Sequence, residues 1–167
     1  MRVRSRKPAA IRSGWKIIRT RWIDINKGDD ESPEIRSRLV AKEFNTGVVP
    51  ELYAATPPSE ALRLMLSILA SGRSQGMKLV YADVSRAYFY AKASRPVFIE
   101  IPVEDRQPGD KDMVGKLNLS LYGTRDAAQN WQKEYTGFMT SIGFKVGRAS
   151  PCNFHHPGLD ITCTVHG

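Results

Sequence analysis

The stretch Leu79–Phe89 reads Leu-Val-Tyr-Ala-Asp-Val-Ser-Arg-Ala-Tyr-Phe, an apolar run closed by a single carboxylate. Burying an unpaired carboxylate is costly, so Asp83 needs a cation, a metal ion or a helix start as its partner. A metal site would require further oxygen ligands, because Mg²⁺ prefers several of them. The pattern predicts a buried strand over residues 78–84 that ends at a helix-capping or metal-binding aspartate.

A second stretch, residues 35–42, alternates basic and apolar side chains. Successive residues of a strand point to opposite faces, so one face is predicted to be basic and the other apolar. Guanidinium groups bind phosphate oxygens in a bidentate manner, so such a face suits phosphate contact, although an ordinary solvated strand face remains an alternative. The basic side chains are Arg36, Arg38 and Lys42, and the apolar ones are Ile35, Leu39 and Ala41.

A third stretch, residues 119–131, places Gly123 between a predicted strand and a predicted helix. A glycine there allows another group to approach the backbone closely. Arg125 and Gln129 share one helix face at this spacing. A plain strand–turn–helix connection accounts for the pattern equally well.

In this order, the three stretches resemble the reverse transcriptases of copia-type LTR retrotransposons. The family pattern is similar to Ala-Arg-Leu-Val-Ala-Lys-Gly-Phe, then Leu-Asp-Val-Lys-Asn-Ala-Phe, then Ser-Leu-Tyr-Gly-Leu-Lys-Gln-Ala-Pro-Arg-x-Trp. The chain has Ser37–Phe44, Ala82–Tyr88 and Ser120–Trp131 at the matching places. The resemblance covers residues 15–167 and implies an α+β fold, the fingers and partial palm of a right-handed polymerase.

The resemblance also implies roles for individual residues. Asp83 would be the first carboxylate for Mg²⁺, of which the complete enzyme would hold two ions. The backbone N–H groups of Arg86 and Ala87 would face the triphosphate, and Tyr88 would lie under the incoming sugar as a steric gate. Arg38, with Arg36 as a second candidate, would contact the triphosphate from the fingers. The residues expected to line the nascent base pair and template are Tyr122, Gly123 and Arg125.

The chain departs from the family pattern in ways that bear on activity. Glu43 replaces a glycine, Asp126 begins the segment that stands for Gln-Ala-Pro, and Gln129 replaces an arginine. A negative charge at Asp126 would weaken anion binding unless the side chain points away or begins the helix. The family continues from a strand like Ile161–Val165 into an Asp-Asp pair, whereas the sequence ends at Gly167. We therefore expect a fragment truncated before the second catalytic motif and the thumb, with no polymerase activity by itself.

Further elements follow from periodicity and turn residues. Residues 15–24 and 34–44 are predicted to form a β-hairpin, and Ser59 to cap a helix reaching Ala70. Leu62, Met65, Leu66 and Leu69 form one apolar face, which predicts a core stripe. Additional strands are predicted over 97–101, 113–121 and 161–165, and a second helix from Thr124 or Arg125 to Ile142.

The charge distribution of the 167 residues is uneven. The net charge is +8, and residues 1–21 contain eight basic and no acidic side chains. Residues 1–14 are therefore expected to form a disordered basic arm, an electrostatic contact for nucleic acid or an organelle transit peptide. Two cysteines are too few for a disulfide framework or a four-ligand zinc site, and no apolar run reaches the ~18 residues of a membrane span.

These observations lead to one functional prediction and one alternative. The first is a fragment of an RNA-directed DNA polymerase whose partners are an RNA or DNA template-primer, a dNTP, and the remaining polyprotein segments (palm remainder, thumb and RNase H). The alternative is a non-catalytic nucleic-acid-binding relic or domesticated module. No membrane partner is expected, an exposed sheet edge predicts self-association, and the expected location is the cytoplasm or nucleus, with organelle import left open.

Overall fold

The computed structural model describes residues 2–6, 16–44, 52–71 and 76–166. These residues group into two compact units. The first comprises residues up to Leu52 together with Tyr88–Trp131, and the second comprises Tyr53–Ala87 together with residues from Gln132 onward. The predicted mixture of helices and strands is confirmed. In the described part of the chain, no helix has the length and apolar character required to traverse a bilayer.

The first unit contains a four-stranded sheet in the order β1-β6-β5-β2. Its strands are β1 (Arg2–Arg6), β2 (Ile17–Ile18), β5 (Phe98–Glu100) and β6 (Met113–Leu117). Strand β2 is parallel to β5, and the other two pairings are antiparallel. Beneath the sheet lies a buried apolar cluster that includes Ile18, Ile99 and Leu121. Residues 2–6, expected in a disordered arm, instead form β1, because their backbone pairs with β6; residues 7–15 lie outside the described residues.

The predicted β-hairpin is confirmed and also belongs to the first unit. Strand β3 (Thr20–Asn26) pairs antiparallel with β4 (Ile35–Ala41) in continuous register. The Asn26 side chain closes the connecting loop, because its Oδ1 accepts the backbone N–H groups of Gly28 at 3.0 Å and Glu34 at 2.9 Å. The amide side chain of Asn26, rather than a tight turn, therefore closes the base of the loop.

The second unit contains a helix, a small sheet and part of a second helix. Helix α1 is Ser59–Ala70, and the antiparallel sheet consists of β7 (Lys145–Val146), β8 (Asn153–His156) and β9 (Ile161–Thr164). Cys152 and Phe154 are fully buried, and the Cys152 thiol donates to the carbonyl oxygen of Ala55 at 3.2 Å. Helix α2 (Ala127–Ser141) and three short 3₁₀ helices (Ala87–Tyr90, Val103–Asp105, Asp110–Asp112) complete the described elements.

The prediction of a buried strand over residues 78–84 is wrong. These residues belong to no strand, and they are exposed, with Val80 at 82% and Tyr81 at 89% of full exposure. An apolar run shows what a segment would bury, but a strand also requires a neighbour to accept its backbone hydrogen bonds. Within the described residues, β9 pairs with β8, and no strand pairs with residues 78–84.

Two expectations for α1 are also corrected. Pro58, not Ser59, occupies the N-cap position, and no side chain caps the helix there. The predicted core stripe is not buried, since Leu62 is 52% and Leu66 is 41% exposed. The least exposed side of α1 carries Met65, whose sulfur accepts a hydrogen bond from Thr164 on β9 at 3.2 Å.

Candidate functional site

Backbone hydrogen bonds join two of the three sequence motifs at the end of β4. The N–H of Ala41 donates to the carbonyl oxygen of Tyr122 at 2.7 Å, and the N–H of Glu43 donates to that of Gly123 at 3.3 Å. Gly123 has a φ of +82°, and a Cβ atom there would overlap the carbonyl oxygen of Ala41. The glycine therefore permits the close approach of backbone that the sequence suggested, and it also adopts a left-handed turn.

An aromatic contact brings the end of the Asp83 motif to the same turn. The rings of Tyr88 and Tyr122 lie 4.6 Å apart, tilted by 43°, and Phe89 meets the edge of Tyr122 at 5.8 Å. Burial, followed by the neighbouring Tyr122, raises the pKa of the Tyr88 phenol. Tyr88, Tyr122 and Gly123 form one contiguous part of the first unit.

The register of the hairpin settles which basic side chains share a face. Arg36 lies opposite Ile25 and Arg38 opposite Ile23, while Arg21 lies opposite Val40. Directly paired residues of an antiparallel hairpin share a face, so Arg21, Arg36 and Arg38 line one exposed side. Arg21 had not been singled out from the sequence, because the long loop left the register open.

A cluster of two acids and two arginines lies beside the junction of β4 and the 122–123 turn. Arg95 bridges Glu43 at 2.6 Å and Asp126 at 3.1 Å. Glu43 also accepts the backbone N–H of Arg125 at 2.9 Å, and its second oxygen lies 3.6 Å from Nε of Arg125. Burial opposes the charge of Arg95, but the hydrogen bonds and charges of its two acid partners outweigh this and raise its pKa.

Asp126 is the most deeply buried member of this cluster, at 2% exposure. Besides Arg95 it accepts hydrogen bonds from Ser94 and Asn130, both at 3.1 Å. It also directly precedes α2, where negative charge is favourable. Asp126 thus points into the protein and is fully compensated, which removes the conflict with anion binding that the sequence raised. A pocket of about 170 Å³ adjoins the cluster and is lined in part by Lys16, Arg95 and Arg125.

The remaining predicted site residues, Asp83, Arg86 and Ala87, belong to the second unit. Asp83 is exposed, and Arg86 has a φ of +57°, unusual for a residue other than glycine. No group of three or more acidic, histidine or cysteine side chains suited to a metal ion occurs in the described ranges. A single exposed carboxylate does not constitute a two-metal site, so the described residues alone do not fit the expected pair of Mg²⁺ ions.

Comparisons with known proteins agree with the motif assignment. Residues 9–155 match the model of the family described as reverse transcriptase (RNA-dependent DNA polymerase). The chain is 27% identical over 151 residues to a retrovirus-related Pol polyprotein from transposon TNT 1-94 of Nicotiana tabacum, covering 87% of this chain and 11% of that protein. It is 30% identical over 138 residues to the Pol polyprotein from transposon RE1 of Arabidopsis thaliana, covering 77% and 9%. No solved structure matches significantly.

The chain belongs to the reverse transcriptase (RNA-dependent DNA polymerase) family. Within that family its transposon relatives identify it as a copia-type sequence, as the motifs predicted. It spans only about a tenth of the length of these relatives. Reverse transcriptases generally use divalent metal ions in catalysis.

Proposed function

We propose that this chain is the fingers and part of the palm of an RNA-directed DNA polymerase. The complete enzyme would transfer a nucleotidyl group from a dNTP to the 3′-hydroxyl of a primer, directed by an RNA or DNA template. The observation that carries the proposal is the junction of motifs, in which residues 41–43 pair with 122–123 while Tyr88 packs on Tyr122. This convergence of three stretches that are distant in sequence supports a common site.

The roles proposed for the arginines rest on the exposed face of the hairpin. Arg36 and Arg38 lie on the same side of β4 and are exposed to solvent, so their guanidinium groups are accessible to a phosphate group. We assign them to the triphosphate of the incoming nucleotide, because a guanidinium matches the paired oxygens of a phosphate group. Tyr122, Gly123 and Arg125 are assigned to the side of the nascent base pair and template.

The proposed sugar and phosphate contacts of the Asp83 motif rest on its backbone shape. Successive backbone N–H groups at a right-handed and left-handed pair of residues can form an anion-binding nest. Arg86 has a left-handed φ of +57° within a turn. This supports assigning the N–H groups of Arg86 and Ala87 to the triphosphate. Tyr88, held by Tyr122, is assigned to the sugar, where a rigid ring would exclude a 2′-hydroxyl.

Nucleotide binding tests these assignments without requiring turnover. The double variant Arg36→Gln/Arg38→Gln is expected to weaken dNTP binding, measured by equilibrium fluorescence titration. Arg148→Gln, which removes an exposed charge from the second unit, is expected to leave it unchanged. Tyr88→Ala is expected to reduce the preference for dNTP over rNTP. An unchanged dNTP affinity in Arg36→Gln/Arg38→Gln would refute the phosphate assignment, and an unchanged dNTP-over-rNTP preference in Tyr88→Ala would refute the sugar assignment.

We propose further that the 167-residue chain does not extend primers by itself. Asp83 would supply one metal-binding carboxylate, and the described residues do not gather others around a metal ion. Primer extension in Mg²⁺ is expected to give no product. Incorporation that disappears in Asp83→Asn would contradict this.

The alternative function is nucleic-acid binding without catalysis, which the three exposed arginines of the hairpin favour. Neutralising Z phosphates of a DNA duplex gives a slope near −0.9Z when log affinity is plotted against log salt. Since residues 2–6 form β1, deleting residues 1–14 would remove a strand; Lys7→Gln/Arg12→Gln is the cleaner test of the basic arm. An unchanged slope in that variant would exclude those two side chains as nucleic-acid contacts.

A further inference from the structure

The cluster of Glu43, Arg95, Arg125 and Asp126 carries an inference specific to this chain. Glu43 stands where the family pattern has glycine, and Asp126 lies in the segment that departs from Gln-Ala-Pro. Arg95 contacts both of these acids. We propose that Glu43 is a positioning residue that holds the Arg125 guanidinium and cancels its charge, so that Arg125 does not attract phosphate in this protein.

Glu43 contacts both the backbone and the side chain of Arg125. One carboxylate oxygen accepts the backbone N–H of Arg125 at 2.9 Å, and the other lies 3.6 Å from its Nε. The Glu43 side chain is 12% exposed, so solvent competes little for these contacts. A glycine at position 43 would supply neither contact, and the Arg125 side chain would lose its ionic partner in the first unit.

The charges within the cluster balance. Two carboxylates face two guanidinium groups. Arg95 lies between Glu43 and Asp126 and forms an ion pair with each, so the charge of Asp126 is balanced without Arg125. Asp126 draws its remaining hydrogen bonds from Ser94 and Asn130. Removing the charge of Glu43 alone therefore leaves Asp126 compensated by Arg95 and releases about one positive charge beside Arg125.

Chemical modification tests the proposal independently of nucleic acid. Phenylglyoxal attacks free guanidinium groups, and mass spectrometry reports the rate at each arginine, with exposed Arg36 as the internal reference. In Glu43→Gln, which preserves the shape of the side chain, Arg125 is expected to react several-fold faster relative to Arg36. Glu134→Gln, which removes an exposed carboxylate from α2, is the matched control and is expected to leave the ratio unchanged. An unchanged ratio in Glu43→Gln would overturn the proposal.

A salt titration on duplex DNA tests the functional consequence, and this half rests on the proposed function. Glu43→Gln is expected to steepen the log–log slope by about 0.9, the value for one additional phosphate contact. The double variant Glu43→Gln/Arg125→Gln is expected to restore the slope of the unchanged chain. A slope that stays steep in the double variant would assign the freed charge to Arg95 and overturn the role given to Arg125.

The two measurements separate failure of this proposal from failure of the proposed function. If the chain binds no nucleic acid at any salt concentration, the proposed function fails, while the modification rates still decide whether Glu43 restrains Arg125. If the chain binds DNA but neither the rates nor the slopes respond to Glu43→Gln, only the role of Glu43 is refuted.

Discussion

Position 123 is where the backbone of one motif touches that of another. Gly123 combines a φ of +82° with a direction that points the missing Cβ at the Ala41 carbonyl oxygen. Alanine would have to move β4 away and also adopt a left-handed backbone. Both the packing and the conformation therefore require glycine at this residue.

We predict that Gly123→Ala lowers the free energy of unfolding by about 1–3 kcal/mol, the usual cost of a strained backbone position. Gly137→Ala is the matched control, because it lies within α2 with open space around its would-be Cβ. That variant is expected to gain about 0.5–1 kcal/mol from helix propensity. Urea unfolding measures both; equal effects of the two substitutions would contradict the role of Gly123.

The sequence motifs predict the positions of individual site residues but not the distant side chains that contact them. Gly123 was predicted from its place between a strand and a helix, because backbone requirements are local. Arg95 gave no signal, since it lies in a loop and meets Glu43 only across 52 positions of sequence. The sequence identifies Asp126 as a departure from the family pattern. It does not reveal that the distant Arg95 balances the negative charge of Asp126.

A polar side-chain contact links the β3–β4 hairpin to the 3₁₀ helix Val103–Asp105 that follows β5. The indole Nε1–H of Trp22 on β3 donates to the Glu104 carboxylate at 3.1 Å. A hydrogen bond from the backbone of Glu104 itself, followed by the one from Trp22, lowers the pKa of this carboxyl group. The hairpin is thereby linked to a charged rather than a neutral acceptor.

We predict that Trp22→Phe raises the Glu104 pKa toward its ordinary value, measured by carboxyl ¹³C NMR titration. Because the folded-state pKa is lowered, the stability contributed by this group is present above the ordinary pKa. It is lost as the pH falls through the lowered value. Trp131→Phe, a tryptophan substitution elsewhere in the first unit, is expected to leave the Glu104 pKa unmoved. A Glu104 titration identical in the unchanged chain and Trp22→Phe would refute the link.

The elements themselves were predicted well where their signals are local. The hairpin was recognised from β-branched residues flanking turn residues, and α1 from its helical periodicity over Ser59–Ala70. Residues 78–84 and the apolar face of α1 were misjudged for a common reason. An apolar pattern shows that a segment could bury its side chains. Actual burial also requires a neighbouring element to pack against, which the pattern does not reveal.

In the whole molecule, the apolar side chains that the sequence predicted to be buried lie on the surface instead. The exposed side chains of residues 77–84 include Leu79, Val80 and Tyr81, and α1 exposes several more leucines. Large apolar surface left in water favours association with another chain. Self-association, expected from the sequence, thus has a definite candidate surface.

We predict that the chain self-associates in sedimentation velocity experiments and that Val80→Lys shifts it toward the monomer. Val103→Lys is the matched control, because Val103 is also largely exposed, at 70%, but lies in a separate 3₁₀ helix of the first unit. It is expected to leave the distribution unchanged. A monomer in every case, or an equal response to both substitutions, would rule out residues 77–84 as the associating surface.

The junction between β4 and the 122–123 turn has a consequence for how far such sequences can diverge. It is made of peptide groups, which every amino acid possesses, together with one glycine. Side chains around it can therefore be exchanged widely without separating the two motifs, as long as position 123 carries no Cβ atom.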